Sequence, residues 1–340
     1  MTEQAGSPVD IADIRAAAER IEGRAVRTPL LESPLLNRAA GRRVLVKAEP
    51  LQRTGSFKFR GAWSHLSTLD DATAARGVLA YSSGNHAQGV ACAAQMLGVK
   101  AVIVMPADAP TLKVENTRAY GAEVVFYDRA GGESREEAGL RLIEERGMHL
   151  VKPFDDPLVI AGQGTVGLEI AEQAAAAGVE RAEVAVCCGG GGLASGVALA
   201  LASTAPGMRA RPVEPQGFDD WDRSLKSGER KSNAEVGGSI CDAILTPAPG
   251  ELTWPIGRRL FGPAVVVSDL EARKAMAAAF RHLKITLEPG GAVGLAAALF
   301  HPDEVPGEAV IAVASGGNVD AERFCEWTRF EAWTPEGLPA

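Results

Sequence analysis

The chain has 340 residues, 46% of them hydrophobic and 23% charged, with a formal net charge of −8. A single core seldom grows past about 250–300 residues, so a chain of this length is expected to fold as two lobes. The acidic balance, without a concentrated basic patch, argues against nucleic acid or an anionic membrane as partner, and no apolar run reaches the ~18–20 residues that cross a bilayer.

Apolar positions at helical spacing predict a helix over Ile11 to Glu22, followed by a proline-marked turn and the strand VLVKAEP from Val44. From Arg76 onward, short β-branched runs alternate with Ala-rich stretches. GVLAYSS, KAVIVMP and AEVVFYD read as strands, and 87–97 and 112–120 as the helices between them. This rhythm argues for parallel βαβ units. HLVKPFDDP, from His149, is punctuated by Pro and Asp. A lobe boundary is expected there, the chain then returning to the lobe it began in. The helix VGLEIAEQAAAAG and the strand EVAVCC restart the pattern. Residues 216–251 are polar and rich in Gly and Pro, and are expected to be a long functional loop. AVIAVAS is the last strand. The five cysteines, Cys92, Cys187, Cys188, Cys241 and Cys325, are odd in number and lack C-x-x-C spacing, so neither a disulfide framework nor a zinc cluster is indicated. With an N-terminus, MTEQAGSPVD, that has no signal-peptide pattern, the expected location is cytoplasmic.

Three loops follow strands: Ser82-Ser83-Gly84-Asn85-His86, Gly189-Gly190-Gly191-Gly192 and Ser315-Gly316-Gly317-Asn318. In an open α/β sheet such loops meet in one crevice. Four glycines between a strand and a helix let backbone N–H groups converge on an anion, and a phosphate is the natural occupant. Seen alone, the run is also compatible with a flexible turn. A dinucleotide is disfavoured, because no acidic residue stands at the ribose-binding distance. Lys58, between Phe57 and Phe59, has surroundings that disfavour an ammonium and make it a candidate covalent anchor; a snorkelling surface lysine is the plainer alternative. Lys47 and Lys113 are ordinary competitors, with Glu49 and Glu115 close by as surface ion-pair partners.

Five segments, S-F-K-F-R-G-A, S-S-G-N-H-A-Q-G, G-G-G-G-L-A-S-G, E-P-G-G-A-V and S-G-G-N-V-D, occur here in the order found in the serine/threonine dehydratase and serine racemase family of fold-type II enzymes, which use pyridoxal 5'-phosphate (PLP). The resemblance runs from about Ile11 to Trp327. It implies an α/β, tryptophan synthase β-like fold of two three-layer α/β/α lobes with mostly parallel sheets. A large PLP-binding domain is expected from residues 1–66 and 155–340, and a small domain from 67–154.

By the same resemblance, Lys58 matches the lysine that binds PLP covalently and removes the Cα proton, and Phe57 the ring lying against the cofactor. Asn85 matches the contact to the cofactor's ring hydroxyl, Gly189, Gly190, Gly191, Gly192 and Leu193 the phosphate cup, and Ser315 the hydroxyl facing the pyridine nitrogen. A neutral serine leaves that ring a weaker electron sink, which favours β-elimination. Ser82, Ser83, Asn85 and His86 resemble the loop over the substrate α-carboxylate, although His86 equally reads as a helix-start residue bonded to backbone. Ser83 coincides with the opposite-face acid/base of serine racemases. Arg135 matches an arginine that reaches a substrate carboxylate in some relatives, or is a solvated charge beside Glu136 and Glu137.

Glu214, Phe218 and Asp220 match a divalent-cation site for Mg²⁺, Ca²⁺ or Mn²⁺, or are simply polar-loop residues. Asp242 resembles the aspartate of an A-D-G motif, with Ala243 in place of the glycine, which blurs assignments near Thr246. Glu288 matches a carboxylate near the cofactor and substrate, or complements a helix dipole. The implied reaction takes L-threonine or L-serine to 2-oxobutanoate or pyruvate and ammonia; the alternatives are 3-hydroxyaspartate dehydration or serine/aspartate racemisation. A homodimer is expected, and no C-terminal regulatory domain or isoleucine feedback.

Overall fold

The computed structural model describes residues 8–82, 84–109, 111–128, 132–235 and 237–329. Ten strands form among the described residues: β1 (Leu30–Glu32), β2 (Arg43–Ala48), β3 (Val78–Tyr81), β4 (Ala101–Pro106), β5 (Glu123–Tyr127), β6 (His149–Leu150), β7 (Ala182–Cys187), β8 (Met208–Pro215), β9 (Val265–Val267) and β10 (Ala309–Ala314). They make two sheets. The larger has the order β1-β2-β10-β7-β8-β9, with β1 antiparallel to β2 and every other pair parallel. The smaller, β5-β4-β3-β6, is parallel throughout and draws all its strands from residues 78–150.

Every residue of β4 and β10 is buried, as expected of parallel strands covered by helices on both faces, and their sequences AVIVMP and AVIAVA are correspondingly unbroken apolar runs. Register sets where the chemistry can sit. Ala314 pairs with Ala48, and Val313 with Val186, so β2, β10 and β7 end at one level and their following loops open on one side.

Two long helices seat the central loop. Pro157–Ala176 starts at Asp156, whose side chain accepts from the Val159 amide, with Pro157 in the first turn. It packs on Gly192–Thr204 so closely that a Cβ on Gly196 would lie 2.6 Å from the Gly164 nitrogen. Contact at that distance requires glycine, and it fixes the start of the second helix relative to the first.

Three sequence expectations need correction. Residues 216–251 are not one long loop: Asp220–Ser227 is a helix and Asp242–Ile244 a 3-10 turn. The helix escaped notice because its buried apolar side rests on Trp221, which is fully buried 5.0 Å from the Phe261 ring.

Lys47 and Glu49, in turn, are not surface partners of one another. Both are fully buried. Lys47 donates to the Thr28 carbonyl at 2.7 Å and pairs with Glu169, while Arg60 bridges Glu49 at 2.8 Å and Glu169 at 2.7 Å. Two cations and two carboxylates thus neutralise one another inside, tying the end of β2 and the helix Lys58–Leu66 to the helix Pro157–Ala176. Likewise Lys113 finds its ion-pair partner in Asp242, not in its neighbour Glu115. No helix among the described residues is long and apolar enough to cross a membrane.

Candidate active site

The three loops beyond β2, β7 and β10 meet the start of the helix Asn85–Leu97 around a cavity of about 200 Å³. Lys58 opens the helix Lys58–Leu66 at its floor. Its Nζ donates to the Pro153 carbonyl at 2.7 Å and stands 5.2 Å from the centroid of the Phe57 ring. Burial pulls this amine down to about 8, weakly opposed by Cys187. About a tenth of it is therefore unprotonated at pH 7, against well under a thousandth for a free lysine. Only one of the two flanking aromatics faces the amine, since Phe59 turns into the core against Trp63.

Gly189 to Gly192 lead into the helix Gly192–Thr204. A Cβ on Gly190 would stand 2.2 Å from the Phe154 ring, and one on Gly191, whose φ is +93°, 2.3 Å from Trp221. Trp221 Nε1 donates to the Gly189 carbonyl at 2.7 Å, and Thr253 Oγ1 to the Gly190 carbonyl at 2.6 Å. The loop's carbonyls are thus engaged by protein donors, while the first amides of the helix, with Leu193, front the cavity without intrahelical acceptors. That is a cup for a small anion. With a buried amine of lowered basicity and a flat ring beside it, the lining fits PLP.

Ser315, at the end of β10, is buried; its carbonyl accepts from the Phe57 amide at 3.0 Å, which pins the loop carrying Lys58. Beside it lies Cys187, which lines the cavity and which its sequence spacing gave no reason to place there. Burial pushes it up to about 11 against a hydrogen bond from Ser315 and the Lys58 charge, so it stays an unreactive thiol. Phe154 and Pro153 were missed as well. Only the irregular VKPF stretch hinted at them, and it carries no chemistry of its own.

Asn85 and Glu288 are brought together across the cavity. Asn85 Nδ2 donates to Glu288 Oε1 at 2.6 Å, and Asn85 Oδ1 accepts from Asn318 Nδ2 at 2.7 Å. Glu288 does not cap its own helix with its side chain. Its carboxyl is raised to about 7 by burial, with Asn85 and Lys113 acting against that and Asp242 with it.

His86 is buried, with Nε2 2.8 Å from the Val151 carbonyl, which makes that nitrogen the donor. Burial and then the Lys58 charge depress it to about 3, so it is a neutral imidazole whose second nitrogen is buried without a hydrogen bond among the described residues. Ser82 lines the cavity and accepts from the Gly84 amide at 3.2 Å. Ser83 lies outside the described residues, and so does the side chain of Arg135, whose backbone opens the helix Arg135–Arg146. Asp242, Ala243 and Thr246 all line the cavity, with the Ala243 methyl facing Gly290.

Glu214, Phe218 and Asp220 lie apart from this cavity's lining. The two oxygens of Glu214 accept the Trp221 and Asp222 amides at 2.9 Å each, capping the helix Asp220–Ser227. Asp220 Oδ1 accepts from Asn233 Nδ2 at 2.6 Å. Phe218 is buried, its amide donating to the Pro215 carbonyl. Burial and then Asp220 hold Glu214 well above the usual carboxylate range, and burial raises Asp220 to about 6. Among the described residues no group of three or more His, Cys, Asp or Glu side chains is arranged to hold a metal ion. The cation site expected here is therefore not supported: one of its two acids is already used to start a helix.

Residues 21–316 match the family model described as "pyridoxal-phosphate dependent enzyme". The chain is 43% identical to an L-threo-3-hydroxyaspartate ammonia-lyase of Pseudomonas sp over 312 residues, 92% of this chain and 96% of that one. It is 40% identical to a serine racemase of Arabidopsis thaliana, covering 95% of this chain and 96% of that one. The crystal structure of a T.th. threonine deaminase superposes with a TM-score of 0.86 at 46% identity, over 92% of this chain and 99% of the other.

Proposed function

The chain belongs to the family of pyridoxal-phosphate-dependent enzymes, and we propose that it is an ammonia-lyase that removes the β-hydroxyl of a small amino acid, giving a 2-oxo acid and ammonia. The observation that carries this reading is the pairing, in one cavity of about 200 Å³, of the buried Lys58 amine with the four-glycine helix start. PLP, when bound, supplies a ring that takes up negative charge from the substrate's Cα.

Lys58 would hold the cofactor and take the Cα proton on Nζ; an amine near 8 is basic enough to accept a proton and is partly unprotonated at neutral pH. The Gly189–Gly192 amides and that of Leu193 would hold the phosphate, Phe57 would pack on the ring, and Ser315 would offer the pyridine nitrogen a neutral hydroxyl in place of a charged partner. The Ser82 hydroxyl and the first-turn backbone amides of Asn85 and His86, at the start of the helix Asn85–Leu97, would receive the substrate α-carboxylate. Glu288 holds Asn85 in position through Oε1, which accepts from Asn85 Nδ2, and its carboxyl, near 7, can keep a proton. Ser83 would serve the opposite face of Cα, and Arg135 a second carboxylate.

L-threonine and L-serine are the substrates we propose first, supported by the 46% identity to a threonine deaminase. A second reading, 3-hydroxyaspartate, is supported by the 43% identity to an enzyme named for it. The two-lobe division, 1–66 with 155–340 against 67–154, is part of the same proposal and is supported by the origin of the smaller sheet in residues 78–150. The test is a screen of PLP-loaded protein with L-threonine, L-serine and L-threo-3-hydroxyaspartate, following ammonia and 2-oxo acid, together with borohydride fixation of the cofactor and peptide mapping. Ammonia release and a label on Lys58 are expected. No ammonia from any of the three, or a label elsewhere, would overturn the reading.

A further inference from the structure

The cavity has walls from both sheets, and three polar contacts span it. Two are deep: Asn85 to Glu288 and Asn318 to Asn85, with Asn85 and Glu288 both buried. The third lies farther out. Lys113, on the helix Thr111–Ala119 that follows β4, places Nζ 3.0 Å from Oδ2 of Asp242, on the 3-10 turn between β8 and β9. The Lys113 side chain is 16% exposed and that of Asp242 59%, so the stem is held by protein while the carboxylate stands at the rim. Both residues line the cavity. Nothing assigned above to cofactor or substrate uses them.

We propose that Lys113 and Asp242 are a positioning pair at the mouth of the cavity, holding the helix Thr111–Ala119 against the 242–246 turn so that the opening stays the width of a small amino acid while it reacts. The proposal rests on the lyase reading of the same site. A partly exposed ion pair biases an open–closed equilibrium by only about twofold to fivefold, which sets the size of every effect to be sought.

Charge on the pair also reaches Glu288, but with opposite signs: Lys113 lowers its pKa and Asp242 raises it. This separates positioning from electrostatic tuning. Loss of either partner of a latch opens the mouth, so K113Q and D242N should raise KM in the same direction, by about twofold to fivefold with kcat changed less. Tuning through Glu288 would instead move the pH profile in opposite directions in the two variants.

The experiment uses PLP-loaded wild type, K113Q, D242N and the swap K113D/D242K, with whichever of the three β-hydroxy amino acids is turned over. Amide hydrogen exchange of residues 111–119 provides a readout independent of turnover. Expected are faster exchange in both single variants, a raised KM in both, recovery of both measures in the swap, and a KM that rises with salt in wild type and the swap but in neither single variant. Opposite KM shifts, a KM change in K113Q without one in D242N, or no recovery in the swap would overturn the pair. Asp242 is exposed enough that D242N tests the idea even if a Lys113 variant folds poorly. Should wild type release no ammonia, the lyase reading falls, while the exchange measurements on the four proteins still decide the pair.

Discussion

Replacing Lys58 by methionine should abolish cofactor attachment and yet make the cofactor-free protein more stable. Burial moves this amine from 10.5 to about 8. At 1.36 kcal/mol per pH unit, keeping the ammonium inside costs about 3 kcal/mol at pH 7. Methionine follows the same path through the cavity without a charge, but leaves the Pro153 carbonyl, now 2.7 Å from Nζ, without its donor, which returns about 1 kcal/mol. The net gain is about 2 kcal/mol. For 340 residues, an unfolding entropy of roughly 2.1 cal/mol/K per residue converts this into a Tm rise of about 3 °C.

The sign can be tested against pH. A lysine whose native pKa is depressed penalises the fold fully below about 8, and the penalty fades as pH rises from there to 10.5. The Tm advantage of K58M should therefore be largest at pH 7 and shrink by pH 9.5. Calorimetry of the two cofactor-free proteins at both pH values checks it. A K58M protein no more stable than wild type at pH 7, or an advantage that grows with pH, would refute the reasoning.

E49Q should lower Tm by about 4 °C, because removing one partner of the buried pair with Arg60 leaves excess positive charge inside at a cost of about 3 kcal/mol, while E49L/R60M, which removes both charges, should lose less; thermal scans compare them. G190A should weaken PLP binding at least tenfold in an absorbance titration, since its Cβ would lie 2.2 Å from the Phe154 ring and the cup must shift to admit it. Asp220 is raised to about 6, so its ionised form penalises the fold above that pH and the penalty fades as pH falls toward 3.8. D220N should accordingly be more stable than wild type at pH 8 by no more than about 3 kcal/mol, with the gap falling to about half by pH 5 in denaturant titrations.

Most of the deep site was legible before any coordinates, because its parts are local: a glycine run after a strand, a lysine beside an aromatic, a polar turn before a helix. Gly189 to Gly192, Lys58, Asn85 and Ser315 all line the one cavity. What could not be read were relations between distant segments. Nothing near Glu49 says that it faces Arg60, eleven residues on and past a kinked turn, inside the protein. Nothing near Lys113 points to Asp242, 129 positions away. Burial separates Phe59 from Phe57, although both flank the same lysine. The resemblance made Glu214 and Asp220 candidate ligands, although the residues alone read as a polar loop, and neither reading reports what the Glu214 oxygens already accept.

The strand at the centre of the larger sheet, β10, is the last in chain order among the described residues and pairs with both β2 and β7. Until residues 309–314 leave the ribosome, roughly 250 residues of elongation after Lys58, the two neighbours have no common edge to join. Cofactor capture therefore belongs to the final moments of maturation: a truncated product ending before β10 should neither sequester the vitamin-derived aldehyde nor shield the strand edges that this late insertion covers.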